Sequence, residues 1–366
     1  MLRVGVQGRY IDPEERDPAL LIFVIDVSGS MAMENRLGLV KESLELLVGE
    51  LREDDRVGIV VYSDNSRVIL EPTPASEART ILNAINQLQT EGSTNAEAGL
   101  VLGYEMAERH MREGEITRIV LCSDGVANVG ATGPDAILAT IRENAARDIV
   151  LSAIGFGMGN YNDILMEQLA NDGDGNYYYV DNLREARRVF VHNLTSTLQV
   201  LGYDARIQVE FNPDVVERYR LIGYENRAIA DEDFRDDTVD AGEVGAGHSV
   251  TALYELALME DFDSSADLAN VYVRYEDADT RETTELTEAI SVDAILETID
   301  NASAHFRLQA AAGEFSELLR ESIYAEGGSF GEVRALLEPL EDELPGDAQV
   351  AELIELVRMA SRFTDR

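Results

Sequence analysis

Carboxylate side chains follow two strongly apolar segments that are widely separated in the sequence. The apolar run at 20–25 leads directly into Asp26, and the run at 116–122 leads into Asp124 two residues later. If these runs are the first and fourth strands of a doubly wound sheet with the order 3-2-1-4-5, their carboxyl ends meet where the strand order reverses, which is where such sheets bind ligands. The two carboxylates are therefore predicted to face one crevice.

Three hydroxyl groups are predicted to lie beside the two carboxylates. Ser28 and Ser30 follow Asp26 in the same loop, and Thr94 lies in a loop that opens a helix on the same edge of the sheet. Carboxylate, hydroxyl and water oxygens are hard ligands, which suit Mg²⁺ or Mn²⁺ and not Zn²⁺. Because only two of these groups are acidic, a bound ion would keep positive charge, and an open coordination position could accept a carboxylate from another molecule.

The pattern Asp26-x-Ser28-x-Ser30, together with Thr94 and Asp124, resembles the metal-ion-dependent adhesion site of von Willebrand factor type A domains. This resemblance implies that the three hydroxyls contact the ion directly or nearly so, that the two aspartates act mainly through bound waters, and that a Glu or Asp of a partner protein completes the coordination shell. The loops expected to contact that partner lie around Gly29, Met31, Ser93, Asn95 and Gly125.

Two other functions stay open at this stage. A metal-dependent phosphoryl-transfer hydrolase would also hold a metal at this point of a sheet, but its aspartate nucleophile normally has a second carboxylate two residues later, where this chain has Ser28. The chain shows no Ser/His/Asp set and no phosphate-binding glycine loop, so we predict that it is not an enzyme. In the other alternative the protein is a structural subunit whose metal site is vestigial.

The elements that must position these residues alternate between apolar runs and helical patterns over 20–195. This alternation predicts an α/β fold with a doubly wound, mostly parallel, Rossmann-like sheet. The strands are expected at 20–25, 57–62, 67–70, 116–122, 149–156 and 177–180, and the helices at 37–51, 76–88, 95–112, 135–146, 161–170 and 183–197.

The pattern changes after about residue 200. Alternation with period two at 207–211, 219–224, 248–258 and 271–275 predicts an antiparallel β module, and a helical period returns after 289. The phrases at 219–227 and 240–248 are similar to the C-terminal region of a bacterial family that joins a von Willebrand factor type A domain to a β-rich and helical tail. The expected parts are a strand within 1–12 that joins the β module, the von Willebrand factor type A domain at 13–198, the β module at 199–287 and a C-terminal helical region at 288–366.

Charge excludes several classes of partner. The 366 residues contain 70 Asp and Glu against 30 Lys and Arg, which gives a net charge of −40. Nucleic acids need their phosphates neutralised, so they are excluded as the main partner, and anionic membrane surfaces are disfavoured. No apolar run approaches the roughly 18 residues of a membrane span. Lys41 is the sole lysine, and together with the carboxylate excess this indicates adaptation to high salt. A GC-rich genome would explain only the lack of lysine and not the excess of carboxylates.

The cellular compartment stays open. Cys122 is the single cysteine, so no internal disulfide can form. The first residues are too short and too polar for a secretion signal. Members of the bacterial family commonly carry a lipoprotein leader, so we expect the cell envelope if a leader lies upstream and the cytoplasm if Met1 is the true start.

Overall fold

The apolar runs of the first half of the chain form the strands of one sheet. The computed structural model describes residues 1–33, 35–125, 134–157, 163–193, 198–224, 229–236, 239 and 241–364. The chain opens with β1 (Leu2–Gln7), which belongs to another sheet. The six strands of the first sheet within the described residues are β2 (Ala19–Asp26), β3 (Arg56–Tyr62), β4 (Ser66–Pro74), β5 (Ile116–Ser123), β6 (Ile149–Phe156) and β7 (Tyr177–Val180).

The order of these strands is β4-β3-β2-β5-β6-β7. β4 runs antiparallel to β3, and the other neighbouring pairs are parallel. β2 and β5 are therefore adjacent, and the carboxyl ends of both strands lie at the same edge. The predicted α/β fold is confirmed, and the order assumed for its first five strands is the order observed.

Helices cover both faces of this sheet. They are α1 (Leu37–Val48), α2 (Ala78–Asn86), α3 (Ala96–His110), α4 (Pro134–Ala145), α5 (Asp163–Asn171) and α6 (Leu183–Arg187), which continues as a π-helical turn at Arg188–His192. Every residue of β2 is buried because its side chains alternate between two cores. Leu21 and Phe23 pack with α1 and α2, whereas Leu20 and Ile22 pack with α3, α4 and α5.

Two antiparallel sheets form the β module. Its strands are β8 (Val200–Phe211), β9 (Val216–Ile222), β10 (Gly242–Gly245), β11 (Ser249–Leu258), β12 (Asp267–Asp277) and β13 (Thr283–Ser291). The strand orders are β1-β11-β9 and β10-β8-β12-β13. The N-terminal strand pairs along its whole length with β11, from Leu2 opposite Tyr254 to Gln7 opposite Ser249. Apolar side chains of the two sheets, including Val4 and Val271, pack together.

The C-terminal helices have a core of their own. They are α7 (Ala304–Leu319), α8 (Phe330–Leu337), α9 (Leu340–Glu343) and α10 (Ala348–Thr364). Short 3₁₀ turns lie at Gly29–Ala32, Ala75–Glu77, Asp231–Asp233, Val292–Ala294, Ile299–Asn301 and Ile323–Ala325. Phe315, Phe330, Leu337 and Ile354 are buried together between these helices. None of the described helices is both long enough and apolar enough to span a membrane.

The structure differs from the sequence-based expectation in four elements. β10 was not predicted as a strand. β13 was not predicted, because it is a largely exposed edge strand with a polar sequence, and it crosses the boundary placed at 287/288. The helical pattern assigned from 289 used Ile295 and Ile299, which are exposed in the connection to α7. The helix expected at 183–197 is α6 with its π-helical turn, and 194–197 lie outside the described residues.

Candidate metal centre

Two buried carboxylates lie at the carboxyl ends of β2 and β5. One carboxylate oxygen of Asp26 accepts a hydrogen bond from the backbone N–H of Ser28 (2.8 Å), and the other accepts one from the hydroxyl of Ser123 (3.1 Å). Asp124 follows β5 and is also buried. Burial raises the pKa of Asp26; the hydrogen bonds from Ser28 oppose this shift, and the nearby carboxylate of Asp124 adds to it.

The loop after Asp26 brings two hydroxyls together. Ser28 precedes the 3₁₀ turn Gly29–Ala32, and its Oγ lies 3.0 Å from the Oγ of Ser30. Met31 is fully buried in the core beneath this turn, so its side chain anchors the loop. Both hydroxyls are therefore held at the edge of the sheet, close to the carboxylate of Asp26.

A second loop, which carries Thr94, lies against the first. The backbone N–H of Gly29 donates to the carbonyl of Gly92 (3.1 Å). Asp64, after β3, accepts hydrogen bonds from both the N–H and the hydroxyl of Ser93. Gly92 has a φ of +63°, and a Cβ there would lie 2.5 Å from the Asp64 carboxylate, so glycine is needed for this close approach. The loop that carries Thr94 is thereby placed beside the loop of Ser28 and Ser30.

An arginine that the sequence analysis did not identify enters the same crevice. Nη1 of Arg36 donates to the backbone carbonyl of Ser30 (2.9 Å) and to a carboxylate oxygen of Asp124 (2.5 Å). The Arg36 side chain is only 8% exposed. Its aliphatic part lies against Gly157, where a Cβ would come within 2.7 Å of the arginine. Arg36 and Asp124 are 88 residues apart, so no local sequence signal could have indicated this contact.

Tyr62, the last residue of β3, lies beneath the two carboxylates. Its side chain is completely buried, and its pKa is well above the usual value, first because of burial and second because of the Asp26 carboxylate. Its hydroxyl lies next to the side chain of Ser123, whose hydrogen bond opposes this shift in pKa. The ring fits under α3 because Gly99 leaves room for it. Sequence reasoning treated Tyr62 only as part of an apolar strand.

The donor set fits a hard divalent cation. The buried carboxylate of Asp124 helps to raise the pKa of Asp26, and two hydroxyls 3.0 Å apart lie beside them. A cation would stabilise this arrangement. Across the described ranges, three or more His, Cys, Asp or Glu side chains do not converge into a metal cluster. Any ion bound here would therefore depend on hydroxyl and water oxygens as well as on the two carboxylates.

The loops expected to contact a partner differ in what they expose. Gly29 and Ser93 are exposed, whereas the side chain of Asn95 accepts a hydrogen bond from the N–H of Ala98 and caps α3. The side chain of Met31 and the residue Gly125 are buried, so neither offers a side chain to a partner. The residues that follow, 126–133, lie outside the described ones.

Comparison with known proteins divides the chain into two matches. Residues 21–195 match the family model described as von Willebrand factor type A domain, and residues 196–363 match the one described as Uncharacterized protein YfbK, C-terminal. The join between these matches lies directly before β8.

Relatives match over the whole chain or over its first half. The Escherichia coli (strain K12) protein named Uncharacterized protein YfbK is 35% identical over 382 residues, which include 100% of this chain and 65% of that protein. The human inter-alpha-trypsin inhibitor heavy chain H3 is 30% identical over 177 residues, 45% of this chain and 19% of that protein. This chain thus spans about two thirds of the first relative's length and a much smaller share of the second.

A solved structure shares the fold. The protein described as von Willebrand factor type A from Catenulispora acidiphila superposes with a TM-score of 0.54 at 13% identity, over 97% of this chain and 89% of that one. At this identity the likeness supports the architecture and not a specific activity.

Proposed function

Because this chain belongs to the proteins that join a von Willebrand factor type A domain to a YfbK-type C-terminal domain, we propose that it binds a partner protein through a divalent ion. Domains of this type commonly mediate protein–protein interaction or adhesion and generally have no catalytic activity. The proposed ion is Mg²⁺ or Mn²⁺, held at the edge of the parallel sheet. The proposed ligand is a Glu or Asp side chain of the partner.

One observation carries the proposal: two buried carboxylates and two hydroxyls from separate parts of the sequence meet at the end of β2 and β5. Asp26 and Asp124 are each held by the fold before any ligand binds, the first by Ser28 and Ser123 and the second by Arg36. A site whose ligands are already ordered binds an ion without a large entropic cost.

The residues divide into two roles in this proposal. Ser28, Ser30 and Thr94 would supply hydroxyl oxygens to the ion, and Asp26 and Asp124 would balance its charge and orient its waters. A bound Mg²⁺ would supply an open coordination position to a carboxylate of the partner. The exposed residues Gly29 and Ser93 border the site and would contact the surroundings of that carboxylate.

Metal binding is tested by titration calorimetry with Mg²⁺ and Mn²⁺ on the metal-free protein. We expect one site in the wild type and none in Asp26→Ala or Asp124→Ala, whose folding is checked by circular dichroism. Asp54→Asn is the matched control, because Asp54 is an exposed aspartate that pairs with Arg52 away from the crevice. A wild type that binds neither ion would show that the site is vestigial.

Partner recognition is tested separately with an array of peptides that differ only in Glu against Gln and Asp against Asn. We expect binding to the acidic members in Mg²⁺, its loss in chelator, and its loss in Asp124→Ala. Equal binding to the acidic and amide peptides, or binding that persists in chelator, would contradict the proposal.

A further inference from the structure

Arg36 supplies a fixed positive charge inside the candidate metal centre. Its backbone is held at the start of α1, where its N–H donates to the carbonyl of Met33 and its carbonyl accepts from Val40. Its guanidinium bridges the carbonyl of Ser30 and the carboxylate of Asp124. Arg36 therefore links the loop after β2 to the end of β5 across the crevice.

The charges of the crevice can be counted from the described residues. Asp26 and Asp124 each contribute one negative charge, and Arg36 contributes one positive charge. The charges of the two carboxylates and of a divalent ion would cancel. The guanidinium would therefore leave the metal-loaded centre with one net positive charge. Asp64 also lies nearby, but it is on the exposed loop, where water screens its charge.

We propose that Arg36 is a positioning and specificity residue that weakens binding of the metal ion and strengthens binding of an acidic ligand to the loaded site. This inference rests on the proposed function. The guanidinium repels the incoming cation and already neutralises Asp124, so the ion gains less from binding. Once the ion is in place, the same charge attracts the carboxylate that approaches it. Both effects are strong because the arginine is buried in a region of low dielectric.

The opposite effects on metal binding and on ligand binding distinguish this role from a purely structural one. If Arg36 only held the loops in place, its loss would weaken metal binding and ligand binding together. If its charge acts as proposed, replacing Arg36 by a neutral residue strengthens binding of the metal ion and weakens binding of the acidic ligand. Its replacement also leaves the buried Asp124 without this partner, so the metal-free protein should become less stable and recover when Mn²⁺ binds.

The test uses Arg36→Gln, Arg36→Lys and, as a matched control, Arg147→Gln, which removes an exposed arginine paired with Glu108 and Glu143. Calorimetry gives the Mn²⁺ affinity. Acetate is the carboxylate probe, and relaxation of its methyl protons by the paramagnetic Mn²⁺ gives its affinity for the loaded protein. Circular dichroism establishes that each variant is folded.

We expect Arg36→Gln to bind Mn²⁺ about tenfold more tightly and acetate about fivefold more weakly than the wild type. Arg36→Lys, which keeps the charge, should lie close to the wild type in both, and Arg147→Gln should match it. A fall in both affinities, or no change in either, would overturn the role of Arg36 and leave the proposed function standing. If the wild type itself does not bind Mn²⁺, the proposed function and this inference both fail.

Discussion

Asp26 places a negative charge at a buried position, and this has a cost in the metal-free protein. Because burial raises its pKa, the folded state retains the Asp26 proton at pH values where the unfolded chain, with an ordinary value of about 3.9, has lost it. The stabilising contribution of protonated Asp26 is therefore fully present below about pH 3.9. It is lost as the pH rises through the raised folded pKa.

We accordingly expect Asp26→Asn to raise the free energy of unfolding of the metal-free protein at pH 7, by on the order of 1 kcal/mol. The amide is uncharged and can still accept one of the two hydrogen bonds from Ser28 and Ser123. The advantage over the wild type should shrink toward pH 4, and Mg²⁺ should no longer stabilise the variant. Denaturant unfolding in chelator and in Mg²⁺ at several pH values measures both effects.

Asp54→Asn serves as the control for the loss of one acidic group from the surface. An Asp26→Asn protein that is less stable than the wild type in chelator at pH 7 would show that the carboxylate is stabilised where it lies. The loss of stability that we attribute to burial of the ionised Asp26 carboxylate would then be wrong.

At the scale of elements, β2 is anchored at the end opposite the crevice by a buried ion pair. The Asp55 carboxylate accepts two hydrogen bonds from the guanidinium of Arg16, of which the one from Nη1 is 2.8 Å long. It also accepts hydrogen bonds from the backbone N–H groups of Ala19 (2.9 Å) and Arg52 (2.7 Å). Both charged side chains are almost completely buried. This pair joins the start of β2 to the loop that precedes β3.

Asp55→Asn should lower the free energy of unfolding by about 3–5 kcal/mol, because it leaves the buried guanidinium of Arg16 without its carboxylate. Chemical denaturation measures the loss. The double variant Arg16→Met, Asp55→Leu should recover part of it, since it leaves no buried charge unpaired. A loss below 1 kcal/mol in the single variant would mean that water replaces the carboxylate easily, contrary to the burial in the structure.

Arg220 on β9 connects the β module to the C-terminal helices. It pairs with Glu255 of β11 (2.8 Å) and with Glu317 of α7 (2.8 Å), and its guanidinium lies 4.0 Å from the centre of the Tyr324 ring. Glu317 is nearly buried, and its carboxylate pairs with Arg220 and Arg320 and accepts a hydrogen bond from the Ser322 hydroxyl. The link therefore holds α7 and the turn after it against the sheet.

Arg220→Met should loosen this attachment and increase hydrogen exchange of the backbone amides of α7 and of 320–325, with little change in β2 or β5. Arg235→Met is the matched control, because Arg235 pairs with Glu285 and stacks on Tyr272 within the β module. Mass spectrometry of exchanged peptides measures the difference. Unchanged protection of α7 would mean that apolar packing alone attaches the helices.

Elements with a strong apolar pattern could be predicted from the sequence, and those with a polar surface could not. The continuous runs that became β2 and β5 are buried on both faces, and this pattern was sufficient to predict the sheet. The order of its strands was assumed from doubly wound sheets in general and was not given by the pattern. β13 and β10 were missed because edge strands bury too little surface to leave a clear alternation. The helical period read from 289 misassigned a connection, because a few apolar residues at helical spacing do not require a helix.

The candidate site also contains residues that the sequence could indicate and residues that it could not. Its five oxygen-bearing residues could be identified because they lie at strand ends and in a recognisable order, and their metal binding stays a prediction. Arg36 and Tyr62 enter the crevice through contacts between distant parts of the chain. Such contacts depend on how α1 is placed against the end of β5 and how β3 is placed against β2, and no local spacing encodes that placement.

At the scale of the whole molecule, the net charge of −40 sets the conditions under which an acidic partner can approach. The acidic surface repels such a partner at long range, whereas the proposed metal centre attracts one carboxylate at short range. Salt screens the first effect beyond about 10 Å at 0.1 M, and it screens the partly buried centre much less. Salt should therefore assist association.

We expect the affinity for an acidic peptide in saturating Mg²⁺ to rise several-fold between about 0.05 and 1 M KCl, because the screened repulsion acts over distances longer than the Debye length. Fluorescence anisotropy of a labelled peptide with one central Glu and acidic flanks measures it. The control peptide has the same Glu between neutral flanks and should change little, since the body of the protein repels it less. An affinity that falls steadily with salt for both peptides would indicate that exposed ion pairs carry the binding and not the metal centre.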